Sequence, residues 1–360
     1  MKMTEFSDHR LWSGGVLSAE KRRWGPISGP IGIGPSDSGH RRHRRYSAHR
    51  RYLPALATAL LAVSAVTGLH AQTTSVSIPA WVEGKSCAPA PKFEATLNGK
   101  AAPVTAQLGP SSDQIILLVL DLTSDLSLSD AAKQAVLAQI SKLPSNAWVG
   151  LLRDQDGLRV LADPSPNRQP VVNALDFLSV SGAPGLLETV RPALSLADSI
   201  LRKSPVRVSV LYITDGSIYS YREDYTNPVI NESDPHDLSR RFPEALIQEK
   251  ISKLSKDLAS LQAPLFIVHL SYRRDRLNEV YQNGLETLAE ATGGRADICH
   301  SMAEIPQALA ETFARISSAW RLTLEVPAKL HNNTQIHLSA PCSEGEVHLS
   351  WRTRLHLKSG

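Results

Sequence analysis

The stretch Gln114–Asp125, QIILLVLDLTSD, holds six consecutive apolar residues, Ile115 to Leu120, closed by a carboxylate. A continuous apolar run of strand length suits a strand covered on both faces, as in a parallel sheet flanked by helices. It predicts the central strand of such a sheet. A second stretch of the same kind, Val206–Gly216 (VRVSVLYITDG), also ends on a polar tip, Thr214-Asp215-Gly216.

Working outward from these two strands, short apolar runs alternate with longer amphipathic stretches, which is the pattern of strands and crossover helices. Ser129 is expected to cap a helix over Asp130–Leu143, where Ala132, Val136, Leu137 and Ile140 recur at helical spacing. Trp148–Leu152 and Leu158–Leu161 enclose Asp154-Gln155-Asp156-Gly157, whose Asp-Gly pair signals a hairpin between antiparallel neighbours. Helices are expected around Val171–Leu178, Leu186–Leu201 and Pro243–Leu261, before a strand at Leu265–Leu270. A helix over Leu277–Ala291 is stopped by Gly293-Gly294, and a short strand at Ala296–Cys299 precedes a last helix, Ala303–Ile316. The fold class that results is α/β: a doubly wound, mostly parallel six-stranded sheet over residues 111–317. Outside it the pattern turns to alternation, at Phe93–Leu97, Val104–Gln107, Arg321–Val326, Gln335–Leu338 and Glu346–Ser350. This predicts a small β appendage built jointly by an N-terminal flank, 72–110, and a C-terminal flank, 318–360.

The first 71 residues read differently. A densely basic run, Arg41–Arg51, leads into the uncharged apolar run Leu53–Val66 and a small residue, Ala71. That order reads as a signal peptide cut after Ala71, with the mature chain starting at Gln72; the alternative is an uncleaved segment kept as a membrane anchor. The long stretch upstream, with Gly25–Gly39 (GPISGPIGIGPSDSG), has the composition of a segment without fixed structure, and its Gly32-Ile33-Gly34 lacks the preceding strand and the third glycine of a nucleotide loop. The true start is then expected downstream of Met1. Residues 1–71 carry 11 Lys/Arg against 4 Asp/Glu, so the chain's net +4 becomes negative beyond them. With no basic cluster left, nucleic acid is not an expected partner. Three cysteines, Cys87, Cys299 and Cys342, fit no metal-binding spacing; a Cys87–Cys342 bond would clasp the two flanks, and three inert thiols are the alternative.

Asp121 closing the first core strand and Thr214-Asp215-Gly216 closing the fourth resemble the von Willebrand factor A family. Phe93 with Asn98-Gly99-Lys100, Leu288-Ala289 with Thr292-Gly293-Gly294, and a β tail after Trp320 resemble its secreted bacterial members, over roughly residues 90–357. The resemblance implies that Asp121 and Asp215 sit side by side at the sheet's switch point, where open α/β sheets bind ligands. It also implies a divalent cation, Mg2+ or a relative, held by an Asp-x-Ser-x-Ser pattern, a later Thr and an Asp. Here the pattern reads Asp121-Leu122-Thr123-Ser124-Asp125, which gives Asp121, Thr123, Asp125 and Asp215 as the candidate ligands. Thr123 keeps a hydroxyl, Asp125 replaces one with a carboxylate, and Gly185, beside Pro184, stands where the family has its Thr. The motif is degraded by at least that ligand. The alternative role for Asp125 is to cap a turn or face solvent.

Next to Asp215 the polar insertion Ser217–Arg241 carries Tyr219, Tyr221, Arg222 and Tyr225, residue types suited to protein interfaces. These four are expected to bind a partner; the alternative is a mobile loop, and His236 within it reads as solvated. No nucleophile motif or zinc-protease motif is present. The resemblance therefore implies an exported, periplasmic or secreted, non-enzymatic module for protein binding or adhesion. A metal-free structural part and a metal-assisted hydrolase using Asp121, Asp125 and Asp215 are the competing readings.

Overall fold

Asp121 and Asp215 do end adjacent strands. The computed structural model describes residues 73–83, 92–225, 243–327, 334–342, 345–346 and 348–355. The leader and signal segment, Cys87 and its pairing with Cys342, and residues 226–241 with His236 lie outside them. Residues 71–360 form one compact unit.

Its α/β part is laid down in the expected order. Strand β5 (Gln114–Asp121) leads into helix α1 (Leu126–Ile140), then β6 (Ala147–Arg153), β7 (Arg159–Ser165), α2 (Gln169–Asp176), α3 (Leu186–Lys203) and β8 (Arg207–Thr214). After it come α4 (Pro243–Leu258), β9 (Leu265–His269), α5 (Arg276–Ala291), β10 (Arg295–Ile298) and α6 (Ile305–Ser318). The six strands lie in the order β10-β9-β8-β5-β6-β7, all parallel except β7, which returns antiparallel to β6 through the predicted hairpin. Asp156 and Gly157 take positive φ values of 59° and 107° there, as a tight Asp-Gly turn demands. Every residue of β8 is buried, and so are the last six of β5, because helices cover both faces. One layer is lined by Val190, Leu194 and Tyr281, the other by Val136, Ile140 and Phe313.

One boundary differs. Helix α1 starts at Leu126, not Asp130: the Asp125 side chain accepts the Leu128 N–H at 3.0 Å, and Ser129 is buried inside the helix rather than capping it.

The flanks build more than an appendage. The N-terminal flank supplies β1 (Thr73–Glu83), β2 (Glu94–Leu97), β3 (Lys100–Ala102) and β4 (Val104–Leu108). The C-terminal flank adds β11 (Trp320–Pro327), β12 (Thr334–Ser339), β13 (Pro341–Cys342), β14 (Gly345–Glu346), β15 (His348–Trp351) and β16 (Arg354–Leu355). Two four-stranded sheets result, β15-β1-β11-β4 and β16-β12-β2-β3, each drawing strands from both flanks, with β13 and β14 paired apart. Val76, Ile78, Leu322 and Leu324 of the first sheet share one buried cluster with Ala95, Leu97, Ile336 and Leu338 of the second. The two sheets therefore face each other as a sandwich with its own core.

Three arginines cap helix ends at the N-terminal edge of the parallel sheet, Arg207 and Arg352 buried and Arg321 half-buried, and the last two reach across from the sandwich. Arg207 donates to the carbonyls of Ser317 and Ala319 at the end of α6, and Arg321 to Leu201, Ser204 and Val206 at the end of α3. Arg352 donates to Ala259 and Leu261 after α4. A helix end leaves carbonyls unpaired and carries partial negative charge, so a guanidinium is a fitting cap for each.

Candidate functional site

The site forms at the C-terminal edge of the parallel sheet. Strands β5 and β8 run side by side with Asp121 opposite Thr214, and the Asp215 N–H donates to the Asp121 carbonyl at 3.3 Å. Asp121, Asp154 and Asp215 are each 0% exposed, although all three end strands at this edge.

Of the four expected ligands, three come together. Asp215 Oδ1 accepts the Thr123 N–H at 2.7 Å and the Thr123 hydroxyl at 3.1 Å. Its Oδ2 accepts the N–H groups of Ser124 and Asp125, both at 3.0 Å, and faces the Ser124 hydroxyl at 3.4 Å. The first turn after β5 is thus folded around the Asp215 carboxylate. Asp125, the fourth, is instead exposed and committed to the cap of α1. It does not join the other carboxylates, because the turn that brings its N–H to Asp215 points its side chain along the helix.

Asp121 accepts the Gly185 N–H on Oδ1 at 3.1 Å and the Thr214 hydroxyl on Oδ2 at 3.0 Å. Burial, and then the charge of Asp154, hold its carboxyl well above the usual carboxylate range.

Asp154 is the residue that sequence reading missed. It follows β6, the other neighbour of β5, and was read only as the start of a turn. The same strand-end logic that selected Asp215 selects it. Its Oδ2 takes the Thr189 hydroxyl, which also donates toward the Gly185 carbonyl and meets the Tyr212 hydroxyl at 3.0 Å. Its Oδ1 is buried without a partner, and burial pushes the carboxyl up to about 7. Gly185 lies against it: a Cβ there would stand 2.5 Å from the Asp154 carbonyl oxygen and 2.6 Å from Oδ1. Pro184 closes the edge from above, so near Gly216 that a Cβ on Gly216 would meet the Pro184 Cβ at 2.9 Å. No three His, Cys, Asp or Glu side chains among the described residues are grouped to share a cation.

The loop after β8 is tied down as well. His269 Nε2 lies 2.9 Å from the Gly216 carbonyl, and Asn278 Oδ1 accepts the Ser217 hydroxyl and the Ile218 N–H. The four expected partner-binding residues divide. Tyr219 is 56% exposed, with its hydroxyl on Asp275, and Arg222 is exposed and paired with Asp156 at 2.6 Å. Tyr221 and Tyr225 are corrected: both are buried, Tyr221 against the Tyr281 hydroxyl at 2.9 Å and Tyr225 between Glu188 and Glu223. Their rings fill the cleft among α3, α4 and α5 and are unavailable to a partner.

No family model matches the sequence, and no curated protein matches it. Solved structures do. A von Willebrand factor type A protein from Catenulispora acidiphila is 14% identical, with a TM-score of 0.39 over 79% of this chain and 73% of its own. BatB from Bacteroides thetaiotaomicron is 14% identical, with a TM-score of 0.36 over 57% and 99%. The corresponding domain of the type V pili tip protein Mfa5 from Porphyromonas gingivalis is 12% identical, with a TM-score of 0.37 over 58% and 96%. The strand order, with Asp121 and Asp215 closing neighbouring parallel strands, decides the fold class. The fold is von Willebrand factor A-like. This likeness is one of fold, and the von Willebrand factor A-like sheet carries here a carboxylate group that is buried, hydrogen-bonded and roofed by Pro184. Among the described residues no helix is long and apolar enough to cross a membrane.

Proposed function

We propose that this chain is an exported, non-catalytic protein-binding module that meets its partner with the C-terminal edge of the parallel sheet. The observation that carries this reading is the placement of apolar surface. Among the described residues the exposed large apolar side chains are Leu126, Val160, Leu161, Phe177, Tyr219 and Met302. All six belong to segments converging on that edge: the start of α1, the top of β7 beside the hairpin, the end of α2, the turn after β8 and the turn before α6. Phe177 is 89% exposed. Large apolar groups gathered on one edge mark a contact surface more often than single scattered ones do. Export rests on the basic run followed by the apolar run before Ala71. The hydrolase reading needs Asp121, Asp125 and Asp215 to act together, and Asp121 and Asp215 are buried while Asp125 stands apart at the cap of α1.

The test places a photoreactive phenylalanine analogue at position 177 or 219 in the exporting cell, with Ser145, exposed just before β6 at the opposite edge, as the control position. A discrete protein adduct from 177 and 219, absent from 145 and lost with Leu126→Glu at unchanged melting temperature, supports the reading. Adducts from 145 alone would move the contact to the other edge. No adduct from any position would remove the binding role.

A further inference from the structure

We propose that this edge is locked by the chain's own hydrogen bonds where a von Willebrand factor A site would hold a divalent cation, so that its binding geometry is independent of cations. The inference rests on the reading of the edge as the contact surface and concerns how that surface is held.

The argument is about lone pairs and space. A carboxylate offers about four lone-pair positions. Asp215 faces five donors from Thr123, Ser124 and Asp125, three of them backbone N–H groups that cannot turn away. A cation at Asp215 would have to displace bonds that shape the start of α1. Asp121 has one bond on each oxygen, and both donors, Gly185 N–H and the Thr214 hydroxyl, lie on the segments a cation would bridge. Those segments are therefore already joined.

Space gives the same answer. A hydroxyl-bearing side chain at position 185 is excluded by the Asp154 carbonyl at 2.5 Å, a backbone atom with little freedom to move. Where the family has a ligand, Asp154 fills the volume. Magnesium also demands near-octahedral oxygen ligation, and Pro184 and Gly185 supply no side-chain oxygen where the family has its Thr.

The experiment compares thermal unfolding of the full chain in EDTA, Mg2+ and Mn2+, with Asp215→Ala and Asp125→Ser alongside. The unaltered chain is expected to melt at one temperature in all three. Asp215→Ala should lower it equally with chelator and with metal, since the lost bonds are internal. Asp125→Ser, which restores the family hydroxyl, should gain no cation response. A cation-dependent rise in the unaltered chain would overturn the proposal, as would a gap to Asp215→Ala that opens only with metal. If Asp215→Ala fails to fold, titrating the unaltered chain with Mn2+ and following the free-ion paramagnetic signal decides alone: no loss of signal is expected, and stoichiometric loss overturns it. Repeating the crosslink from position 177 in EDTA separates the two readings. An adduct that needs metal sinks the lock but keeps the binding face; an absent adduct with cation-independent melting does the reverse.

Discussion

Asp154 and His269 are buried at the ends of β6 and β9, on either side of β5 and β8, and they titrate in opposite senses. Asp154 moves from an ordinary 3.8 to about 7, mainly by burial. Between those values the folded chain keeps a proton that the unfolded chain has released, so stability is full below 3.8 and declines as pH rises to 7. His269 moves from 6.5 down to about 4, again by burial, with its ring between the Gly216 carbonyl and the Ser271 N–H. There the unfolded chain binds the extra proton, so stability rises from pH 4 to 6.5. At 1.36 kcal/mol per unit each effect is on the order of 3–4 kcal/mol, and the two slopes oppose each other in the unaltered chain. Asp121, also raised by burial, adds a second falling contribution, so Asp154→Asn should give a melting temperature that falls less steeply with pH than that of the unaltered chain, and His269→Gln one that falls more steeply between pH 4 and 6.5. Parallel profiles for both variants would refute the assignment. Gly185→Ala makes a further residue-scale case: its Cβ would meet the Asp154 backbone oxygen, and a loss of about 2 kcal/mol in denaturant titration is expected. Asp121 and Asp215 were legible because each ends an apolar run at a place where ligands bind. Asp154 was not, because the Asp-Gly pair two residues on gives so strong a turn signal that the strand end before it was read as part of the turn.

At the scale of elements, the sequence was most legible where periodicity and length agree. Strands such as Ile115–Leu120 and helices such as Leu186–Leu201 came within one or two residues of their observed limits. The start of α1 was misplaced because Asp125 had two candidate roles and was weighed as a ligand, leaving Ser129 as the next capping residue. As the cap, Asp125 accepts the Leu128 N–H, and Asp125→Ala should cost about 1 kcal/mol by urea titration in chelator and metal alike. Tyr221 and Tyr225 were misread for a related reason: tyrosine suits an interface and a core equally, and only the packing of α3, α4 and α5 chooses. The arginine caps left no local signal at all, since Arg207, Arg321 and Arg352 reach carbonyls roughly a hundred residues away. Burial holds the Arg352 guanidinium down to about 10, still charged at neutral pH, so removing it leaves the carbonyls after α4 unpaired in a buried setting. Arg352→Ala is expected to lower stability by about 3 kcal/mol in denaturant titration, with Arg352→Lys restoring only part of it because one ammonium cannot reproduce the fork. A loss within error of zero would mean that the sandwich does not depend on this contact.

At the scale of the whole molecule, the sandwich is closed by its first strand. β1 lies between β11 and β15, with Thr73 opposite Pro327 at one end and Glu83 opposite His348 at the other. Val76, Ile78 and Ala80 enter the sandwich core, while Trp81 packs on Phe266 of β9 and donates to the Arg315 carbonyl at 2.8 Å. The strand was hard to place from sequence because Pro79 interrupts an otherwise alternating run and a proline is rare inside a central strand. Within this flank the alternation marks only Phe93–Leu97 and Val104–Gln107, which become β2 and β4. Burying Val76, Ile78 and Trp81 is worth about 1.5–3 kcal/mol each before any ladder hydrogen bond is counted, against a typical total stability of about 5–15 kcal/mol. A chain beginning at Gln72, the proposed mature start, keeps all of β1 and is expected to unfold in a single cooperative transition followed by circular dichroism. A chain beginning at Lys92 loses the strand, opens the sandwich core and strips Phe266 of its cover, so it should be insoluble or melt far below the longer chain. If it instead stays soluble and melts at the same temperature, the α/β part stands without the sandwich, and the flanks are an addition rather than a condition of its fold.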